Sequence, residues 1–299
     1  MRGAQKSFVQ VKLFPPSDHH QPIIILQSPH SRSINVGFLT KRNGGVQFVP
    51  CRLNFGFQRE DDTYHATIES LKLPPVAKIL KKYKPEEIST VTVLRETLAC
   101  RLGSALCAVG IKNHYGDAFI GATHIKGDGP IRTAYLYENT EGLTQHGLWI
   151  IAESFCVGRN LAVAMRSLLS KFHPREILFI APIASRRAIN VVGGIIAQKH
   201  IPTTYVAWGA LFGVDEKTLY DMPWGHPDTE PLDPRDQKVF VSMYGPRLCV
   251  GGDFGNNYYG PLLARRLYEE QLKKHRVKPQ FPTAKEIFKY YRSGEIICR

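Results

Sequence analysis

Between residues 85 and 240 short, apolar, β-branched segments alternate with amphipathic ones, and this alternation constrains the fold more than any other feature of the chain. Strands are predicted over 91–94, 118–123, 133–137, 148–152, 177–183 and 203–207, and helices over 97–109, 160–172 and 187–199. Strands such as Leu148-Trp149-Ile150-Ile151-Ala152 are apolar at every position, not at every second one, so both of their faces must be covered. The expected architecture is therefore α/β, a mostly parallel sheet with helices on both faces. In such sheets ligands bind outside the carboxyl ends of the strands. The informative loops are those after Leu94, Thr123, Ala152, Ile183 and Ala207.

The flanks read differently. Residues 1–84 are expected to form a β-rich extension with a linking helix: short runs at 23–26, 35–39 and 46–53 are broken by prolines and by the turn signal Asn43-Gly44-Gly45, and helical spacing covers 66–83. Residues 241–299 carry a glycine-rich stretch at 251–260, then helical patterns over 262–274 and 284–291. That stretch lacks the G-x-G-x-x-G phosphate fingerprint, so a packed surface loop is the default reading and an active-site cover the alternative.

With 299 residues, 43% of them hydrophobic, the chain has enough apolar surface for a sizeable core. Its longest apolar runs have strand length, so no membrane span is expected. No apolar segment of secretory length follows the charged start, and the location expected is cytoplasmic. Six cysteines are scattered without a C-x-x-C pair, which argues against a structural zinc site or a disulfide scaffold. His19-His20 has no matching second half and reads as a solvated loop. A formal charge of +13 favours phosphorylated partners, whether nucleotides, diphosphorylated sugars or RNA. The basic residues cluster at 78–84 and in 265–289, where a solvated helix face is the simpler reading and a nucleic-acid patch the alternative.

Two loops carry chemistry. Arg95 follows a strand and precedes a helix, where a guanidinium beside exposed backbone N–H groups suits a diphosphate. Glu153 ends the 148–152 strand, where a carboxylate can meet ribose hydroxyls or Mg²⁺, and the turn Gly158-Arg159-Asn160 leads into the next helix. The alternative is an ordinary capped helix in each case.

Taken in order, these loops resemble the uracil phosphoribosyltransferase family over about half of the chain. Val93-Leu94-Arg95-Glu96-Thr97-Leu98 is similar to the family's diphosphate loop, His124-Ile125-Lys126 falls at its tyrosine-arginine pair, and Glu153 to Ala162 falls on the loop that grips the 5′-phosphate of PRPP. Ala184-Ser185-Arg186-Arg187-Ala188-Ile189, Tyr220-Asp221-Met222-Pro223 and Asp233-Pro234-Arg235-Asp236 resemble its later segments. The resemblance implies a type I phosphoribosyltransferase fold for 85–240. It also implies diphosphate binding by Arg95 and Lys126, phosphate or nucleotide contacts from Gly158, Arg159, Asn160, Arg186 and Arg187, catalytic roles for Glu153, Asp233 and Asp236, and Mg²⁺ held by Glu153 and Asp233. A homodimer is expected on the same ground.

The departures are equally specific. Larger side chains replace the family's threonine and two glycines at 158–161, and Arg186-Arg187 replaces a proline-glutamate pair. Two functions therefore stay open. One is transfer of a phosphoribosyl or related pentosyl group to or from a pyrimidine-like base, which would rest on positioning and charge stabilisation. The other is a non-catalytic protein of the same fold that binds RNA, a nucleotide or a protein partner.

Overall fold

The computed structural model describes residues 9–14, 22–35, 37–42, 45–50, 57–94, 96–125, 132–217, 221–249, 270, 273, 274 and 276. The chain begins with strands β1 (Gln10–Phe14) and β2 (Ile23–Gln27), helix α1 (Pro29–Asn35), the hairpin β3 (Gly37–Arg42) and β4 (Gly45–Pro50), and helices α2 (Phe57–Leu71) and α3 (Pro74–Leu80). Next come β5 (Ile88–Leu94), α4 (Leu102–Ala108), β6 (Gly116–Ile125), β7 (Arg132–Asn139), β8 (Leu148–Ala152), α5 (Arg159–Lys171), β9 (Glu176–Ala181), β10 (Ala184–Ser185) and α6 (Arg186–Ala197). The series ends with β11 (Thr203–Trp208), β12 (Ala210–Phe212), β13 (Glu230–Pro231) and α7 (Pro234–Tyr244).

Eight strands form the central sheet in the order β1-β2-β11-β9-β8-β5-β6-β7. The six inner strands are mutually parallel, and only the two edges, β1 on β2 and β7 on β6, pair antiparallel. Helices cover both faces, as expected. On one face α5 and α6 set Leu161, Met165 and Ile189 against Ile151 and Phe179; on the other, α2, α3 and α4 set Ala66, Val76 and Leu106 against Ile150 and Leu178.

The segment before Pro85 does more than extend the domain. Strand β2 is hydrogen-bonded to β11 inside the main sheet, and its run divides between the two cores, Ile23 and Ile25 to one and Ile24 and Leu26 to the other. Four consecutive apolar residues cannot sit on a half-exposed strand, and pairing them with β11 also covers an edge that would otherwise be open. The helix expected over 66–83 starts earlier, at Phe57, and is interrupted before Pro74, whose missing N–H cannot continue the ladder. The helix expected over 97–109 is split into a 3₁₀ turn, Glu96–Cys100, and α4, with Arg101 between them at φ 47°. The hairpin at the Asn-Gly-Gly signal is present, although its residues 43 and 44 lie outside the described residues, as do 18–20, 251–260 and 284–291. Of the helix expected over 262–274, residues 270, 273 and 274 are described, and they are helical.

A smaller sheet, β10-β12-β13, and α7 cover the carboxyl end of the β9-β11-β2 side. Its core is aromatic: Trp224 meets Phe212 edge-on at 5.0 Å and Phe240 at 5.9 Å. Among the described residues no helix is long and apolar enough to cross a membrane.

Candidate functional site

The order of the strands creates a topological switch point between β5 and β8. From β5 the chain crosses by α4 to β6 on one side, whereas from β8, the neighbour of β5 on the other side, it crosses by α5 to β9. Helices α4 and α5 lie on opposite faces, so the loops leaving β5 and β8 diverge. Such a switch point is where open α/β sheets bind ligands.

The loop after β8 is held firmly. Phe155 is a buried anchor packed edge-on against Phe179 and Tyr205 at 6.2 and 6.5 Å. Its N–H donates to the Ile183 carbonyl at 3.0 Å, and its own carbonyl accepts from Ser185 N–H at 3.2 Å. The Ser185 hydroxyl donates to the Cys156 carbonyl and accepts from the Ala188 N–H at 2.9 Å, so one side chain caps α6 and ties the two loops together. Gly158 then turns the chain at φ 75° into α5. A Cβ at that position would stand 3.1 Å from both Cα and the carbonyl oxygen of Ala188, so the site needs glycine for its left-handed conformation and for this close approach. Beyond it, Arg159 is exposed and Asn160 half-buried at the start of α5, where the first-turn N–H groups have no intrahelical partner. Glu153 and Ser154 are half-buried, and Ser154 Oγ itself is buried with no hydrogen-bond partner.

The remaining expected residues divide. Arg95, Lys126 and Tyr220 lie outside the described residues. Arg186 makes a two-pronged ion pair with Glu230 at 2.5 and 2.8 Å and stacks over Phe14 at 5.1 Å, which fastens α6 to β13. That hydrogen bond holds the Glu230 carboxyl below the usual carboxylate range, against the opposing effect of burial. Arg187 pairs with Glu216 at 2.8 Å on the surface. Neither guanidinium is presented bare to a phosphate.

The two aspartates are structural fixtures of α7. Asp233 caps the helix by accepting from Arg235 N–H at 2.9 Å, and its carboxylate grips the Arg235 guanidinium at 2.8 to 3.2 Å. The Arg235 side chain is the main reason the Asp233 carboxyl is held below its ordinary range. Asp236 accepts from Arg32 at 3.0 and 3.2 Å and from the Gln27 side chain, which joins α7 to the end of β2. Leu232 N–H donates to Gly209, just past β11, so Asp233 stands by a strand end two places from β8. At about 4.8 Å per strand that is roughly 10 Å from the end bearing Glu153, and the Asp233 carboxylate is already engaged there by the N–H and the guanidinium of Arg235. Glu153 and Asp233, expected to share a metal, thus stand at the ends of different strands, β8 and β11. Among the described residues no group of three His, Cys, Asp or Glu side chains could hold a metal ion.

Phe155, Ser154 and Ser185 were not singled out by the sequence reading. Serine immediately before a helical pattern is a capping signal that would have found Ser185. No comparable signal marks Ser154.

No protein-family model and no curated protein matches the chain. Among solved structures it is similar to a protein from Aquifex aeolicus at 17% identity, covering 54% of this chain and 78% of that one with a TM-score of 0.40. It is also similar to adenine phosphoribosyltransferase from Trypanosoma brucei in complex with AMP, pyrophosphate and ribose-5-phosphate, at 8% identity, 67% and 87% coverage, and a TM-score of 0.41. A third is hypoxanthine phosphoribosyltransferase from Trypanosoma cruzi complexed with IMP, at 14% identity, 61% and 86% coverage, and a TM-score of 0.31. At these identities and TM-scores the likenesses carry no residue role or activity over to this chain.

Proposed function

We propose that the crevice between the ends of β5 and β8 binds a phosphorylated sugar or nucleotide such as PRPP, and that the protein transfers a phosphoribosyl or related pentosyl group to or from a pyrimidine-like base. The observation that carries this reading is the coincidence of the switch point with a loop that begins with Glu153 and enters α5 through the left-handed Gly158. Glu153 would contact ribose hydroxyls or a Mg²⁺ whose other ligands are waters and the diphosphate of the bound molecule, a coordination usual for that ion. Mg²⁺ would supply charge neutralisation on the leaving diphosphate. Arg95 and Lys126 are assigned to the diphosphate, and Arg159 and Asn160 to the terminal phosphate through side-chain donors in place of glycine amides. Chemistry through an oxocarbenium-like sugar needs no nucleophilic side chain and rests on positioning and electrostatics.

The second reading is a non-catalytic protein of the same fold that binds RNA, a nucleotide or a protein partner; a homodimer is proposed under either reading. It is favoured by the tie between Phe155 and Ile183 and by the Arg186–Glu230 pair, which together leave fewer donors for a phosphate than the sequence suggested.

Calorimetry with PRPP and Mg²⁺, a nucleotide series and RNA separates the two. Transfer predicts PRPP binding that requires Mg²⁺ and weakens by about 1.5–3 kcal/mol in Arg95→Ala, the usual loss for one charged hydrogen-bonding partner. Binding of RNA or nucleotide alone, with PRPP silent, would establish the second reading in its place.

A further inference from the structure

At the other end of the sheet, beside the amino ends of β9 and β11, a cavity of ≈ 270 Å³ opens between the C-terminal end of α5 and the turn that follows α6. Leu169, Phe172 and Ile201 give it an apolar wall. Four basic side chains complete it: His173, Arg175, Lys199 and His200. Among the described residues no carboxylate lines it. Strand β9 has six residues at about 3.3 Å each, so this cavity lies roughly 20 Å from the loops at the carboxyl ends.

The competing explanation for basic residues here is the pair of helix ends. Helices α5 and α6 both finish beside the cavity, and each C-terminus carries about half a negative charge. That accounts for part of the positive charge. Lys171, in the last turn of α5, is already given to Glu138 at 2.8 Å. Nearby Glu176 is held by Lys82 and Tyr83 on the far side of its strand end. Among the described residues the carboxylate that reaches the lining is Glu87, 3.4 Å from Arg175 in a single exposed contact of the kind that contributes little and that a phosphate readily replaces. Lys199 and the two imidazoles remain as donors around a pocket with an apolar wall. His200 holds a left-handed backbone at φ 55°, a position after a helix where glycine is the relaxed choice.

We propose that this cavity is a second ligand site, for a phosphate monoester carried on a small apolar or planar body. The volume equals that of about nine waters in the bulk liquid, and it lies just below the usual range of about 300–1,000 Å³ for pockets that take drug-sized ligands. The charge calls for a dianion and the wall for a compact hydrophobic group. The proposal stands independently of the reading of the β5 and β8 loops.

The test is an NMR titration of the full chain with phenyl phosphate at 150 mM salt, with inorganic phosphate and phenol as partial probes. Saturable shifts of the amides at 172–175 and 199–201 are expected, with weaker effects from inorganic phosphate and from phenol. Arg175→Ala with Lys199→Ala should weaken phenyl phosphate on the order of tenfold or more, since two charged donors are lost. Both side chains are exposed, so circular dichroism should find the variant folded. Shifts confined to 153–160, or affinity within twofold in the folded double variant, would overturn the site. PRPP added in a parallel NMR titration is expected to shift 153–160 and phenyl phosphate 172–175 and 199–201, so failure of one assignment leaves the other standing.

Discussion

Replacing Gly158 by alanine tests the local design of the crevice most directly. At φ 75° an alanine carries the left-handed penalty of about 1–2 kcal/mol that glycine avoids. Its Cβ would stand 3.1 Å from the Cα and carbonyl oxygen of Ala188. Those are backbone atoms near the start of α6, and they cannot rotate away as a side chain would. Overpacking of this kind adds about 1–3 kcal/mol, so a total near 3 kcal/mol is expected. For a domain of this size that is a fall in melting temperature of about 6–12 °C. Gly194→Ala is the control with opposite sign. It lies in the interior of α6 with nothing within 4 Å of the added Cβ, so removing a helical glycine should stabilise by about 0.5–1 kcal/mol. Urea unfolding followed by circular dichroism reads both. A Gly158→Ala loss smaller than about 1 kcal/mol would refute the argument, because it would mean that the loop after β8 is free to move away from α6.

Three further outcomes follow from other contacts. Arg32→Ala removes two of the donors to the nearly buried Asp236 and should cost about 2–3 kcal/mol in urea unfolding, with Arg32→Met combined with Asp236→Asn costing less because no charge is stranded. Burial pulls the His30 imidazole down, but its hydrogen bond to Glu69 and the nearby Asp62 and Asp61 outweigh this and leave its pKa raised above 6.5. The raised value means that this stabilising contribution is complete below pH 6.5 and disappears as pH climbs through the folded value; His30→Gln should therefore flatten the decline in stability that the wild type shows as pH rises from about 6.5 through that folded value. Arg159→Gly with Asn160→Gly should weaken the native phosphorylated ligand by about 1.5–3 kcal/mol in calorimetry if these side chains hold its phosphate, and equal affinity in both proteins would remove the loop from the site.

The sheet was largely legible because its strands are covered on both faces. Continuous apolar runs such as 148–152 and 177–183 can satisfy both covers only as inner strands, and the observed bounds, Leu148–Ala152 and Glu176–Ala181, agree with them to within a residue or two. What the runs do not encode is a partner. The run 23–26 reads as a strand, yet nothing in its periodicity says that it pairs with β11, about 180 residues away along the chain. The same limit applies to charge. Arg186 meets Glu230 across 44 positions and Arg187 meets Glu216 across 29, so both looked available when taken with their sequence neighbours alone. Asp233 is a different case: aspartate followed by proline at a helix start is a local capping signal, so its place at the cap of α7 was legible without any resemblance.

Those pairings change what the crevice must do to hold an anion. With Arg186 committed to β13 and Arg187 to Glu216, the positive charge assigned to a ligand falls on Arg95, Lys126 and Arg159, and of these Arg159 is the one described, exposed at the first turn of α5. Glycine amides wrap a phosphate at short range, whereas a guanidinium and a carboxamide reach several ångströms farther from the backbone. The side of the loop facing α6 is meanwhile closed by the contact between Gly158 and Ala188 and by the Ser185 hydroxyl bridge. A phosphate held here would therefore sit farther from the backbone than in a glycine cradle, toward the Arg159 side of the loop. Under the proposed function, a ligand whose phosphate and ribose are spaced to span from Arg159 to Glu153 would satisfy both groups, and that spacing, more than total charge, is what should select among phosphorylated sugars.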